Sequence, residues 1–181
     1  RLPASLGEFN AGLLAYYPFN ANANDESGNA NHGTVNGATL SADRFGIGNK
    51  AYSFDGVNNH IVVSESAVNT GFGYSNPFSL TAWVQMDNVT GKHSIYRSDH
   101  DFDFLLHNGK LWAETFQGNN YKEEQSSIQL TAGANKWYHL VAVWDVTDWK
   151  LYVDAVLIDA NTTTLTLPSP GAVPHPTWIG K

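Results

Sequence analysis

Two carboxylates set opposite one another on a short hairpin are the first chemistry this sequence offers. Asn108-Gly109 separates two alternating runs, residues 101–107 and 110–116. Asn-Gly is the strongest two-residue hairpin signal, because both turn positions need positive φ. Counting outward from the turn pairs His107 with Lys110, Leu106 with Leu111, Leu105 with Trp112, Phe104 with Ala113, and Asp103 with Glu114. Facing residues share a sheet face. One face therefore carries Phe102, Phe104, Leu106, Leu111 and Ala113, which is core material. The other carries Asp103, Leu105, His107, Lys110, Trp112 and Glu114. Like charges directly opposite destabilise a sheet, so Asp103 and Glu114 call for compensation. Candidates are Lys110 or Arg97, a cation, a shared proton, or the hydroxyls of a sugar. An apolar ring among a few placed polar groups is the usual equipment of a binding site. On that reading Trp112 is a stacking platform, with Asp103, Glu114, His107 and Arg97 around it. The plainer alternative is two solvated carboxylates splayed apart, as exposed acids commonly are.

A second stretch, Asn24-Asp25-Glu26-Ser27-Gly28-Asn29-Ala30-Asn31-His32-Gly33, is dense in oxygen ligands and has no soft one. Hard cations such as Ca²⁺ prefer carboxylate, amide and carbonyl oxygens in flexible geometry. Gly28 and Gly33 let the chain turn carbonyls inward. The same composition also closes on itself through Asx turns, with no ion. The seven histidines are scattered, without the i, i+4 helical spacing of a zinc site. His139, in an apolar run, reads as a structural histidine, and Trp83, Trp137 and Trp144 read as core.

These residues need elements to hold them, and composition says which kind. The chain has 181 residues, 42% apolar, 13% aromatic and only 15% charged. That is one domain's length, with the aromatic and polar balance of half-buried strands joined by turns. Net charge is −7 with no Lys/Arg run, which excludes a nucleic-acid binder, since phosphate contact needs a clustered positive field. Cysteine is absent, so disulfides and thiolate metal sites play no part. No apolar stretch approaches the roughly 20 residues of a membrane-spanning helix. A Gly-, Asn- and Thr-rich chain without cysteine fits a secreted or surface protein, bacterial rather than animal. Arg1 does not look like a native start, so an excised piece of a longer protein is expected.

No helical period is sustained anywhere; short runs recur between turn signals, which is the pattern of a sandwich or barrel. Strands are expected at 12–19, 51–54, 60–63, 78–86, 94–98, 101–107, 110–116, 137–144, 150–153, 156–158 and 177–180. Residues 1–10 read as a linker, 20–37 as a long functional loop, and 168–176, with four prolines, as an irregular loop. Asn88-Val89-Thr90 and Asn161-Thr162-Thr163 match the N-glycosylation pattern.

In order and spacing, the segments LLAYYPF (13–19), NDESGNANHG (24–33), AYSFDG (51–56), FSLTAWV (78–84), WYHLVAV (137–143) and LYVDAVL (151–157) resemble the laminin-G-like jelly roll of the concanavalin A-like lectin/glucanase superfamily. The resemblance runs from about residue 12 to 180 and implies an all-β, two-sheet antiparallel sandwich over 11–181. It also implies a structural calcium in the 24–33 loop, with Asp25 and Asn29 as side-chain ligands and carbonyls from Ser27 and His32. Catalytic members carry a Glu-x-Asp-x-x-Glu strand, and no Glu-x-Asp occurs here. The implied function is non-catalytic binding of a glycan or polysaccharide by an accessory domain stabilised by calcium. The alternative is a structural or protein-interaction module of a surface assembly. Two departures stand out. Ala155 occupies the place of the usual turn glycine, where a Cβ penalises positive φ. The family's last strand, which pairs beside the first, would follow Trp178-Ile179-Gly180. The expectation is that flanking sequence or a strand from another chain fills that place against 12–19.

Overall fold

Alternation of apolar and polar residues with period two dominates the chain, and it builds strands wherever one face can be buried. The computed structural model describes residues 12–63, 76–98, 102–117, 120–160 and 177–180. The expected linker 1–10, the proline-rich loop 168–176 and the Asn161 sequon lie outside them. Thirteen strands occur among the described residues: β1 Gly33–Asn36, β2 Thr39–Ser41, β3 Ala51–Ser53, β4 His60–Val63, β5 Phe78–Gln85, β6 Lys92–Ser98, β7 Phe102–His107, β8 Lys110–Gln117, β9 Asn120–Gln125, β10 Trp137–Trp144, β11 Trp149–Val153, β12 Val156–Ala160 and β13 Thr177–Ile179. No helix long and apolar enough to cross a membrane occurs among them.

The strands form a seven-stranded sheet in the order β1-β4-β13-β6-β7-β8-β9, a four-stranded sheet β12-β11-β10-β5, and the small pair β2-β3. All named pairings are antiparallel. One core joins the two large sheets. Phe102, Phe104 and Leu106 of β7 and Leu111 and Ala113 of β8 meet Tyr138, Leu140, Ala142 and Trp144 of β10 and Trp149, Leu151 and Val153 of β11. The all-β sandwich expected from sequence is the observed fold.

The β7–β8 hairpin has the register counted from its turn, from His107 opposite Lys110 to Asp103 opposite Glu114. Asn108 and Gly109 both take positive φ, 50° and 80°, as the mirror-type turn demands. A Cβ on Gly109 would come within 2.7 Å of the Leu130 carbonyl oxygen, so glycine is required there for space as well as torsion.

Five local expectations are corrected. Residues 12–19 are not a strand. Their backbone groups are taken by the following loop: Tyr16 N–H donates to Asp25 Oδ1 (2.8 Å), Glu26 N–H to the Tyr16 carbonyl (2.8 Å), and the Asn29 and Asn31 amides to Leu13 and Leu14 carbonyls. Second, the 20–37 region is not all loop, since β1 pairs with β4 through Gly33–Asn36. Third, β9 had no distinct signal; its run of polar residues pairs β8 at the sheet edge. Fourth, Trp83 is 45% exposed rather than core. Phe78, Leu80, Ala82 and Val84 point inward on β5, which sends Ser79, Thr81 and Trp83 out. Trp149, read as part of a turn, is fully buried beside Trp144, their rings 5.3 Å apart.

Candidate functional site

The face of β6–β7–β8 turned away from the core gathers the residues the hairpin count singled out. A row of cross-strand neighbours runs Trp178, Arg97, Asp103, Glu114 and Glu123 over β13, β6, β7, β8 and β9. The next row holds Ser94, Leu105, Trp112 and Gln125. A third holds Lys92, His107 and Lys110.

Cations answer the like-charge conflict. Arg97 Nε lies 3.6 Å from Asp103 Oδ1, and Lys92 Nζ lies 3.2 Å from Glu114 Oε1. Arg97 was among the expected partners. Lys92 replaces the expected Lys110. Register sets Lys92 opposite His107 and Glu114 opposite Asp103, so the lysine stem passes the intervening Leu105 row to reach Glu114. Long methylene stems covering apolar surface in this way keep their charged heads wet. Leu105, Asp103 and Glu114 are buried, at 0%, 3% and 4% exposure. The plainer alternative of two solvated, splayed carboxylates is not what the structure shows: both are buried and each has a cation beside it.

Trp112 stands half-buried on this face, its ring 5.4 Å from His107 at an interplanar angle of 57°. Its Nε1 is buried and has no hydrogen-bond partner among the described residues. An indole N–H without an acceptor is uncommon, because buried polar groups are nearly always paired. Trp178 and Lys92 were missed by sequence reasoning. Both join the face through β13 and β6 pairings that no local pattern announces.

The 24–33 loop has a different centre. Asp25, 6% exposed, accepts four hydrogen bonds: from Tyr16 N–H and Ser27 N–H at Oδ1 (2.8 Å each), and from Ser27 Oγ–H (2.8 Å) and Asn31 N–H (3.0 Å) at Oδ2. Burial works against the charged carboxylate, yet the donors of Ser27, Tyr16 and Asn31 outweigh it and hold Asp25 below the usual carboxylate range. Asn29 donates its amide to the Leu13 carbonyl (2.8 Å), and His32 Nδ1 accepts from Asp25 N–H (3.1 Å). No cluster of three or more His, Cys, Asp or Glu suited to a metal occurs among the described residues. Asp25, Asn29, Ser27 and His32, the residues expected to hold calcium, lie close together, and the Asp25 oxygens accept four hydrogen bonds from the protein itself. The loop is tied to residues 13–16 by its own hydrogen bonds.

Comparison with known proteins shows which structures share this fold. Domain 4 of AbnA, a GH43 extracellular arabinanase from Geobacillus stearothermophilus solved in complex with arabinotriose, superposes with a TM-score of 0.68 at 18% identity, covering 92% of this chain and 82% of that one. The receptor binding domain of botulinum neurotoxin C/D mosaic serotype gives 0.66 at 16%, covering 94% and 43%. A structure of botulinum neurotoxin type C, whose cell entry is dependent upon interaction with two ganglioside molecules, gives 0.66 at 12%, covering 97% and 44%. The chain spans less than half the length of these neurotoxin chains. At such identities the likeness shows a shared fold. Among curated proteins none matches. The family model Laminin_G_3 matches residues 54–181, well over half of the chain. With the two-sheet jelly roll observed, the chain belongs to the Laminin_G_3 family of the concanavalin A-like lectin/glucanases superfamily.

Proposed function

We propose that this domain is a non-catalytic carbohydrate-binding accessory module, working outside the cell beside flanking domains of a larger protein. The observation that carries the reading is Trp112, a half-buried ring that stands beside His107 on the outer face of the hairpin. A pyranose or furanose ring stacked on its exposed part would offer C–H groups to the indole. Lys92, 54% exposed, presents further donors to hydroxyls. The arabinotriose complex of an arabinanase domain with this fold supports a saccharide as ligand. Binding rather than hydrolysis is favoured because Asp103 and Glu114 are each engaged by a cation, whereas a glycosidase pair needs one proton-donating carboxyl. Fold alone would license neither chemistry.

Titration with arabinotriose first, then a glycan array, tests this. Trp112→Ala should abolish binding while leaving the melting profile near the parent's. Full affinity in that variant would sink the reading, and failure to bind any glycan would favour the protein-interaction alternative.

A further inference from the structure

The opposite side of the sandwich carries a second group that the reading above does not use. Trp83, outward on β5, faces its cross-strand neighbour His139 with ring centroids 4.9 Å apart at 26°. His139 is fixed in turn by Thr81 Oγ1, 2.7 Å from its Nε2. Arg44 Cζ lies 4.3 Å from the Trp83 ring centroid and 4.3 Å from that of Phe45. The guanidinium is therefore layered between two aromatic rings, an arrangement that stabilises the cation and restricts it.

The turn that delivers Arg44 and Phe45 is rigid. Asp43 Oδ1 accepts from Phe45 N–H and Ile47 N–H (2.9 Å each), Gly46 N–H donates to the Asp43 carbonyl (2.9 Å), and Asp43 N–H donates to the Ile47 carbonyl (3.0 Å). That commitment keeps the nearest carboxylate off the guanidinium. No acid pairs with Arg44 among the described residues, although the chain holds 17 acids against 10 Lys and Arg. Phe45 is 70% exposed and Ile47 54%. A fixed guanidinium with free donors, flanked by an open aromatic face, is preorganised for a ring that bears a carboxylate.

We propose that Arg44, Phe45 and Trp83 form a second saccharide site, on the outer face of the four-stranded sheet, that takes a sugar with an isolated carboxylate. The ring stacks on Phe45 and the carboxylate meets the edge of the guanidinium. One cation on a chain of net charge −7 suits a sparse anion rather than a dense polyanion, which the whole-protein field would repel. The inference does not rest on the Trp112 site, since the two lie on different sheets.

The test is calorimetric titration of the domain with a glucuronate-terminated trisaccharide and with its glucose-terminated counterpart. The acidic sugar should bind about tenfold more tightly or better, the worth of a charge-assisted pair. Arg44→Gln should erase that preference, and Arg44→Lys should restore only part of it because the planar fork is lost. Phe45→Ala should weaken both sugars, and Trp112→Ala should leave the preference intact. Because Arg44 is exposed, Arg44→Gln should keep the parent's circular dichroism. Equal affinity for both sugars, no binding at ten-millimolar sugar, or a preference surviving Arg44→Gln would each overturn the proposal. So would displacement of the acidic sugar by an equal concentration of an acidic tripeptide, which would mark the surface as a protein contact.

Discussion

Replacing Asp25 by alanine removes the acceptor for three backbone N–H groups and one hydroxyl at once. A buried donor left without a partner costs about 1–3 kcal/mol. Asn31 is 3% exposed and stands at the upper end; Tyr16 and Ser27 are half-buried and stand lower. The Ser27 hydroxyl can turn toward the Leu14 carbonyl, 3.5 Å away, or to water. Together these give a loss of about 3–5 kcal/mol, after allowing for relief of the buried carboxylate's desolvation. For a domain of this size each kcal/mol moves Tm by roughly 2–4 °C, so thermal unfolding should fall by roughly 6–20 °C. Asp25→Asn keeps one acceptor oxygen and should lie between the two. Amide exchange should localise the loosening to Tyr16, Ser27 and Asn31. The pH dependence has a definite sign. The folded carboxyl titrates below its ordinary 3.8. Its contribution is therefore complete above that value and is lost as pH falls through the lower folded pKa. The gap between parent and Asp25→Ala should accordingly narrow below about pH 4. A variant within about 1 kcal/mol of the parent would refute the hub role. The parent should also melt alike in excess EDTA and in millimolar calcium. A higher Tm in calcium would show by linkage that an ion binds the native state, and the donor commitments at Asp25 would then have been misread.

Three further outcomes are expected. Ala155 holds φ of +66° beside Asp154 at +49°; a left-handed L-residue costs about 1–2 kcal/mol, partly offset by glycine's freer unfolded chain. Ala155→Gly should therefore raise Tm by roughly 1–4 °C in differential scanning. Arg97→Met removes the cation beside the buried Asp103 carboxylate, which faces Glu114, and should cost about 2–3 kcal/mol in urea unfolding, less than a fully buried pair because Arg97 is partly exposed. Adding Asp103→Asn to Arg97→Met should recover most of that loss, and a double variant no better than the single would show that the ion pair is not the cause.

Local pattern and long-range pairing divided the work unequally. The β7–β8 hairpin was legible because its turn residues sit next to one another, and a two-residue turn fixes every pair that follows. The β10 strand was legible as an apolar run from Trp137 to Trp144, and burial alternates along it once it is folded. Residues 12–19 have the aromatic content of a strand yet form none, because the loop at 25–31 satisfies their backbone groups first. Propensity describes how well a residue suits a pleated surface; it does not say whether a neighbouring strand will be there.

The residue types alone determined an all-β sandwich, the core face of the central hairpin and the meeting of Asp103 with Glu114. They could not determine what answers that meeting, since Arg97 and Lys92 arrive on β6 and Trp178 on β13, from far along the chain. Nor could they show Trp83 turned outward against Arg44, because those residues meet only across separate elements. Turn chemistry and side-chain period are local and written in consecutive residues. Charge compensation, burial and ring stacking depend on which strands become neighbours, and only the folded sheet decides that.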